Sequence, residues 1–442
     1  MLIIDEISMI SGAVLNEIDI KCRNLGDRQR LFGGIPVIVF SGDFCQFPPV
    51  GGLSLITIGN KAEAVQVKSQ SLQNHLRGYN IFQKFTKVVI LRQQVRAAKC
   101  PILLGFLSRL RNGEQTAADY EMLQARRIQA QDRDFTTGMR AITPTNRTKQ
   151  LFNIEAALQW APKYRKHMSI FLSMHEWIRI KKSSFTLDGT SRTEKNTVSP
   201  TVDMITDALS IPDDSKIKIP PLYIHIPGTP VMTTENEHPG LKHVNGAEFT
   251  SVAVIPDARY PGYAISEGIT IHFGPPAGLL VTSEDSYQVP GLDRGTILIT
   301  PKQTVISKKN DPTVCRRTGL TCVPAFAMTA YKSQSKTFFR ILVDIPGPLN
   351  RTPSSRASTA YPSLESVYVE ISRATTWAGL EVNQLMSKES FLACQLDDGM
   401  KKGLCKLECH APKTLLDFER RCKDSENTKL RQWFDRWKIM KE

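Results

Sequence analysis

Two short apolar runs near the amino end constrain the fold most: Leu2-Ile3-Ile4 in "LIIDE", and "IPVIVF" just ahead of Ser41-Gly42-Asp43. Each is short, rich in β-branched residues and cut off at polar ones, which is the pattern of a buried strand. Between them "SGAVLNEIDIKCRNL" sets Val14, Leu15, Ile18 and Leu25 at spacings that suit a helix. Strand, helix and strand in close succession form the unit of a parallel sheet covered on both faces. "KVVILRQ" reads as a third strand, and "CPILLGFLSRLRNGEQTAADYEMLQ" as two helices separated at Gly113.

The texture then changes twice. "RAITPT" reads as a strand and "NRTKQLFNIEAALQW" as the helix after it. Residues 183–221 are polar and rich in Ser, Thr, Asp and Pro, which predicts a loop or insertion. From 222 to about 325 short strands such as "FTSVAVIP", "EGITIHF" and "GTILITP" are broken by Gly and Pro, predicting a small barrel or sandwich. Strand and helix patterns alternate again from "AFAMTAYKSQSKTFFRILVDI" to about 385. The expected class is α/β, with an all-β insertion in its second domain.

Charge narrows the partners. Across 442 residues, 57 basic side chains face 43 acidic ones, a net charge of +14 that favours an anionic partner, nucleic acid first. No apolar run is long enough to cross a membrane. The nine cysteines show no paired spacing, which fits a reducing compartment better than a disulfide framework. Cys405, Cys409 and His410 could supply half a zinc site, but no second pair follows at finger spacing. The last 43 residues carry twelve Lys or Arg against seven acids, with Trp433, Phe434 and Trp437 in one helical patch. A packed terminal helix and a nucleic-acid contact are both open there.

Chemistry concentrates at strand ends. Asp5 and Glu6 close the first run and would face the crevice where parallel sheets bind ligands. In nucleotide-hydrolysing folds one such acid holds Mg²⁺, usually through water, and the other orients the attacking water. The second run ends in Ser41-Gly42-Asp43, with Gln46 close behind. A neutral amide there can bond both a terminal phosphate and the water. Phe47-Pro48-Pro49 is a stiff connection away from it.

These motifs, in this order, resemble those of the Pif-type DNA helicases of superfamily one, a group that includes the helicase modules of Helitron transposons. "LIIDEISM" and "GGIPVIVFSGDFCQFPPV" resemble motifs II and III, and "QQVRAA" with "LSRLRNGEQT" the motif IV region. "ITPTNRTKQLFN" resembles the entry to a second RecA-like domain, and "PGTPVMTTEN" with "VNGAEF" the segment leading into a small inserted barrel. "AMTAYKSQSKTFFRILVDI" resembles motif V and "YVEISRATTWAGLEV" motif VI. The likeness covers roughly residues 1 to 385.

The resemblance implies two RecA-like P-loop NTPase domains, the first incomplete. Residues 1–138 would form domain 1A, 139–245 with 326–390 domain 2A, 246–325 a β-barrel insertion, and 391–442 a basic carboxyl-terminal extension. It implies ATP and Mg²⁺ as cofactors, with Asp5 holding the metal through water. Asp5, Glu6, Gln46, Arg96 and Arg373 would be catalytic; Lys332 and Gln334 would join Asp5, Gln46, Arg96 and Arg373 in binding nucleotide. The nucleic-acid contacts would be Phe47, Pro48, Thr145, Asn146, Asn245, Thr329, Tyr331, Lys332 and Ser333. Guanidinium groups suit terminal phosphates because they stay charged and fork toward two oxygens. The implied activity is 5′-to-3′ unwinding of duplex DNA by a monomer that binds single strands and duplex junctions. A nuclear location, with mitochondria as the alternative, is the expectation that goes with it.

The sequence also departs from the pattern. No G-x-x-G-x-G-K-[ST] stretch occurs in the 442 residues, so the chain is expected to be the carboxyl-side piece of a helicase, lacking its amino-terminal part and with little ATP hydrolysis of its own. Ser335 stands where motif V has Gly, Tyr331 where it has His, and Glu370 where motif VI has Ala. If the backbone at 335 takes a positive φ, Ser is strained there. A non-enzymatic nucleic-acid-binding remnant is the second reading.

Overall fold

The computed structural model describes residues 1–57, 70–182, 193–283, 290–307, 313–347, 363–425 and 428–441. They fall into two compact units. One comprises Met1–Glu121, Gly347–Ser372 and Met386–Glu442; the other comprises Met122–Pro346 and Arg373–Leu385.

In the first unit Leu2–Ile4 and Ile38–Phe40 pair in parallel, Leu2 opposite Ile38 and Ile4 opposite Phe40. They are less buried than their composition suggests: Ile3 is 57% exposed and Val39 42%. The sheet has two strands among the described residues. Gly12–Leu25 connects them, capped by Ser11, whose Oγ accepts from Val14 N at 3.3 Å. This helix crosses Gln70–Phe82 backbone to backbone: a Cβ added to Gly78 would lie 1.8 Å from Gly12 O. Phe32, Phe40, Phe44, Phe82 and Phe85 fill the space beside the strands.

The run "KVVILRQ" forms no strand, contrary to its pattern. Val89 and Leu91 are 78% and 90% exposed, and Val88 N donates to Thr414 Oγ1 at 2.9 Å. Pro101–Asn112 buries Leu103, Phe106, Leu107 and Leu110 and ends at Gly113, whose φ of 73° needs a residue without a Cβ. Helix Leu364–Ile371 packs on it. Residues 398–441 add Asp398–Lys423 and Thr428–Lys441, which touch through Phe418 with Trp433 and Phe434. The side chain of Trp437 lies outside the described residues.

The second unit holds a four-stranded parallel sheet in the order Ala327–Thr329, Arg140–Thr143, Ile341–Ile345, Leu380–Leu385. Helix Asn146–Lys163 covers it through Phe152 and Ala156, which meet Phe135 and Phe326. The all-β part is wider than 246–325. Met168–Leu172, Met174–Lys182, Leu222–His225 and Pro230–Thr233 join its three sheets, around a core of Phe171, Tyr223, Phe249, Leu279 and Val281. The stretch expected as a loop, 183–221, contains strand Thr193–Val198 and helix Val202–Ser210, while 183–192 lies outside the described residues.

Arg317 explains that order. It is fully buried and donates to Ile211 O and Ile219 O, both at 3.0 Å, to Ala208 O, and to His175 Nε2 at 2.9 Å. One guanidinium thus satisfies the carboxyl end of helix Val202–Ser210 and the loop after it. Burial, then the Arg317 charge, pushes His175 down to about 4, so its ring is neutral and can accept.

Candidate functional site

In the first unit the parallel pair ends where its ladder folds over. Ser41 N donates to Ile4 O and Ile7 N donates to Ser41 O, each at 2.9 Å. This turn puts Glu6 at φ 51°, a left-handed conformation that costs a non-glycine residue about 1 kcal/mol or more. Gly42 takes φ 146° directly against it; a Cβ there would lie 2.8 Å from Ile7 N. Asp5 is exposed and receives Ser41 Oγ–H at 2.6 Å and Glu6 N–H at 2.9 Å. The Ser41 bond, then the Glu6 amide, holds its carboxyl below the usual range, so Asp5 is ionised at neutral pH.

Arg96 belongs to the same cluster. Its Nη1 donates to Ser372 O at 3.0 Å. Burial draws its pKa down, with Tyr368 and the Glu6 carboxylate acting against that. Gln46 follows the second strand, its N–H donating to Asp43 O at 2.9 Å. Its side-chain carbonyl oxygen is buried with no hydrogen-bond partner among the described residues, a costly state for a polar atom. Asp43 is fixed by a two-pronged contact from Arg111, 2.8 and 3.3 Å, which locks the loop before Gln46. Phe47 is 4% exposed and offers no ring face to a base in this conformation; Pro48 is half-buried.

In the second unit Thr145 caps helix Asn146–Lys163, its Oγ1 accepting from Thr148 N at 3.1 Å, and Asn146 opens that helix. Thr329 ends a parallel strand and Tyr331, Lys332 and Ser333 form the single turn after it. Tyr331 is 46% exposed, while Ser333 is buried and donates to Ala330 O at 2.7 Å, a local capping bond. Gln334 is also buried. Ser335 has φ 66°, the strained conformation suspected from its replacement of Gly. Asn245 is exposed and its N–H donates to Asn236 Oδ1 at 2.7 Å.

Lys332 sits among like charges. Burial, then Lys149, draws its pKa down to about 8, with Lys218 and Lys336 adding to the effect and Asp213 opposing it. Lys149 itself is tied to Asp213 at 2.6 Å, both buried. A cationic pocket with this excess gains from an anion. Arg373 is 1% exposed, with Nη1 3.5 Å from Lys336 O, and its own carbonyl accepts from Phe338 N at 3.0 Å.

Sequence reasoning singled out Asp5, Glu6, Gln46 and Arg96, which share the first unit, and Lys332 and Arg373, which share the second. It passed over three supporting groups: Ser41 as the Asp5 donor, Arg111 as the Asp43 clamp, and the Lys149–Asp213 pair. Only Ser41 carried a signal, being in register past the partner strand. For Mg²⁺ the fit is that of a cation which keeps its waters and takes one protein carboxylate plus phosphate oxygens. Asp5 is ionised and accessible, and no cluster of three ligating side chains occurs among the described residues.

The model of the PIF1-like helicase family matches residues 1–120. The ATP-dependent DNA helicase PIF1 of Candida albicans is 50% identical over 50 residues, a segment that is 11% of this chain and 5% of that protein. Among solved structures, the Candida albicans Pif1 helicase aligns with TM-score 0.54 and 18% identity over 92% of this chain and 76% of that one. Bacteroides Pif1 bound to single-stranded DNA aligns with TM-score 0.51 and 18% identity over 96% of this chain and 76% of that one. The chain therefore has the fold of Pif1 helicases, RecA-like α/β domains with an all-β insertion, and its first 120 residues match the PIF1-like helicase family model.

Proposed function

We propose that this chain is the carboxyl-side part of an ATP-driven DNA helicase that moves 5′-to-3′ on single strands and opens duplex junctions. The observation that supports it most is the acidic pair at the carboxyl end of a parallel strand, with the Asp5 carboxylate accepting from Ser41 Oγ–H at 2.6 Å. In this reading Asp5 holds Mg²⁺ through water, which neutralises phosphate charge. Glu6 accepts a proton from the attacking water, and Gln46 offers its unpartnered carbonyl oxygen to that water. Arg96 stabilises charge on the phosphoryl group being transferred, the role that the resemblance also gives Arg373. Tyr331, Lys332, Thr145, Asn146 and Asn245 are the proposed contacts to the DNA strand, Tyr331 by stacking and Lys332 by charge.

No segment in the 442 residues supplies the amide cradle and lysine of a P-loop. We therefore expect the chain alone to release phosphate from ATP at background rates, with or without single-stranded DNA. Fused at its amino end to the G-x-x-G-x-G-K-[ST]-bearing segment of a PIF1-like helicase, it should hydrolyse ATP when DNA is present and open a 5′-tailed duplex but not a 3′-tailed one. Turnover at ordinary motor rates by the chain alone would refute the first expectation. A fusion that binds ATP but neither hydrolyses it nor unwinds DNA would favour the non-enzymatic remnant.

A further inference from the structure

Helix Asp398–Lys423 has two faces with separate tasks. One is fastened to the first unit: Met400 and Gly403 are buried, a Cβ on Gly403 would come within 2.7 Å of Ile56, Thr414 Oγ1 receives Val88 N–H at 2.9 Å, and Asp417 holds Lys87 at 3.2 Å. The neighbouring, exposed face is a row of cations. At 3.6 residues per turn Lys402, Lys406, Lys413 and Arg420 project within about 40° of one another, along roughly 27 Å of helix. That row lies roughly 60–160° around the axis from Met400, Gly403 and Thr414, with Asp417 at its margin. All four are exposed, and Lys402, Lys406 and Lys413 form no ion pair among the described residues. Arg420 touches Asp417 at 2.9 Å but remains 73% exposed. The helix runs unbroken through Pro412.

Like charges at i, i+4, as in Lys402 and Lys406, repel and weaken a helix by a few tenths of a kcal/mol. Here the repulsion is borne by a 26-residue helix anchored to the first unit through Met400, Gly403 and Thr414. The other side chains on this face are Cys409, Leu416 and Asp417, with no aromatic ring on which an unpaired base could stack. Cationic and without stacking groups, the row matches a partner whose bases are hidden inside a helix and whose phosphates face outward.

We propose that Lys402, Lys406, Lys413 and Arg420 form a docking rail for the phosphate backbone of duplex DNA, separate from the strand-binding and nucleotide residues described above. The rail reads charge and spacing, so it carries no sequence preference. It needs neither ATP nor the acidic pair, and stands whether or not the chain is an active motor.

The test is the salt dependence of binding to a labelled 30-base-pair blunt duplex and to a 30-nucleotide single strand. The full chain is compared with Lys402→Gln/Lys406→Gln/Lys413→Gln/Arg420→Gln. A second variant of equal net charge, Lys21→Gln/Arg28→Gln/Arg30→Gln/Lys84→Gln, removes exposed cations elsewhere in the first unit. Thermal melts confirm that all three fold. Each phosphate contact contributes about 0.9 to the log–log slope on duplex DNA, so the rail variant should lose about 3–4 from that slope. Its single-strand slope, and both slopes of the second variant, should change by less than about 1. An unchanged duplex slope, an equal loss in the second variant, or an equal loss on the single strand would overturn the proposal.

Discussion

Three backbone positions show how local strain marks the strand ends. Glu6 and Ser335 are non-glycine residues held at positive φ, and Gly42 occupies a space that no Cβ could share. Glu6 comes directly after a strand of a parallel sheet, and Ser335 after the one-turn helix Ala330–Ser333 that follows another, where the chain must turn sharply. Ser335→Gly should relieve its turn and raise stability by about 1 kcal/mol, read from chemical denaturation. No gain would mean that Ser335 makes a compensating interaction.

Lys332 supplies a prediction in pH. With its folded pKa near 8 and its usual value near 10.5, the folded chain binds fewer protons than the unfolded chain between those values, so stability rises with pH across that window. Below about 8 the ammonium is charged and unfavourably buried, and that is where an anion relieves it. Binding of single-stranded DNA should therefore weaken as pH goes from 7 to 9, and Lys332→Met should flatten that step. A Lys332→Met chain with the same pH profile would remove Lys332 from the contact.

Elements were legible where a local rule suffices. Gly113 separates two helices because its φ of 73° excludes a side chain, and the Thr145 cap opens a helix where "TPTN" announces one. Helix Gly12–Leu25 was visible in its apolar spacing, but its partner Gln70–Phe82 was not, because the contact is two glycines rather than a stripe. Gly78→Ala would force these backbones apart and should cost about 1–3 kcal/mol, seen as a lower melting temperature. An unchanged melting point would show that the helices slide freely.

Other elements depended on distant partners. "KVVILRQ" has strand composition but meets a threonine on Asp398–Lys423 instead of another strand. Val202–Ser210 looked like part of a polar loop because its anchor, Arg317, lies more than a hundred residues away. The candidate site divides in the same manner. Asp5, Gln46 and Arg96 could be named from motif order. The Ser41 hydroxyl and the Arg111 clamp that position them come from tertiary pairing that one sequence does not display.

At the scale of the whole chain, each unit carries a parallel sheet whose strand ends bear the candidate residues. The first unit adds a cationic helix on its surface, and the second adds the all-β sheets. The net charge of +14 is thus placed as well as abundant: buried near Lys332, and exposed along Lys402 to Arg420.

The central claim is that the acidic pair performs hydrolysis. Its most direct measurement is single-turnover phosphate release by the P-loop fusion, comparing the parent with Glu6→Gln and following nucleotide binding in parallel. Glutamine keeps the shape and loses the base, so binding should hold within about threefold while the rate falls at least about 100-fold. A Glu6→Gln protein that hydrolyses ATP at the parent rate would contradict the account.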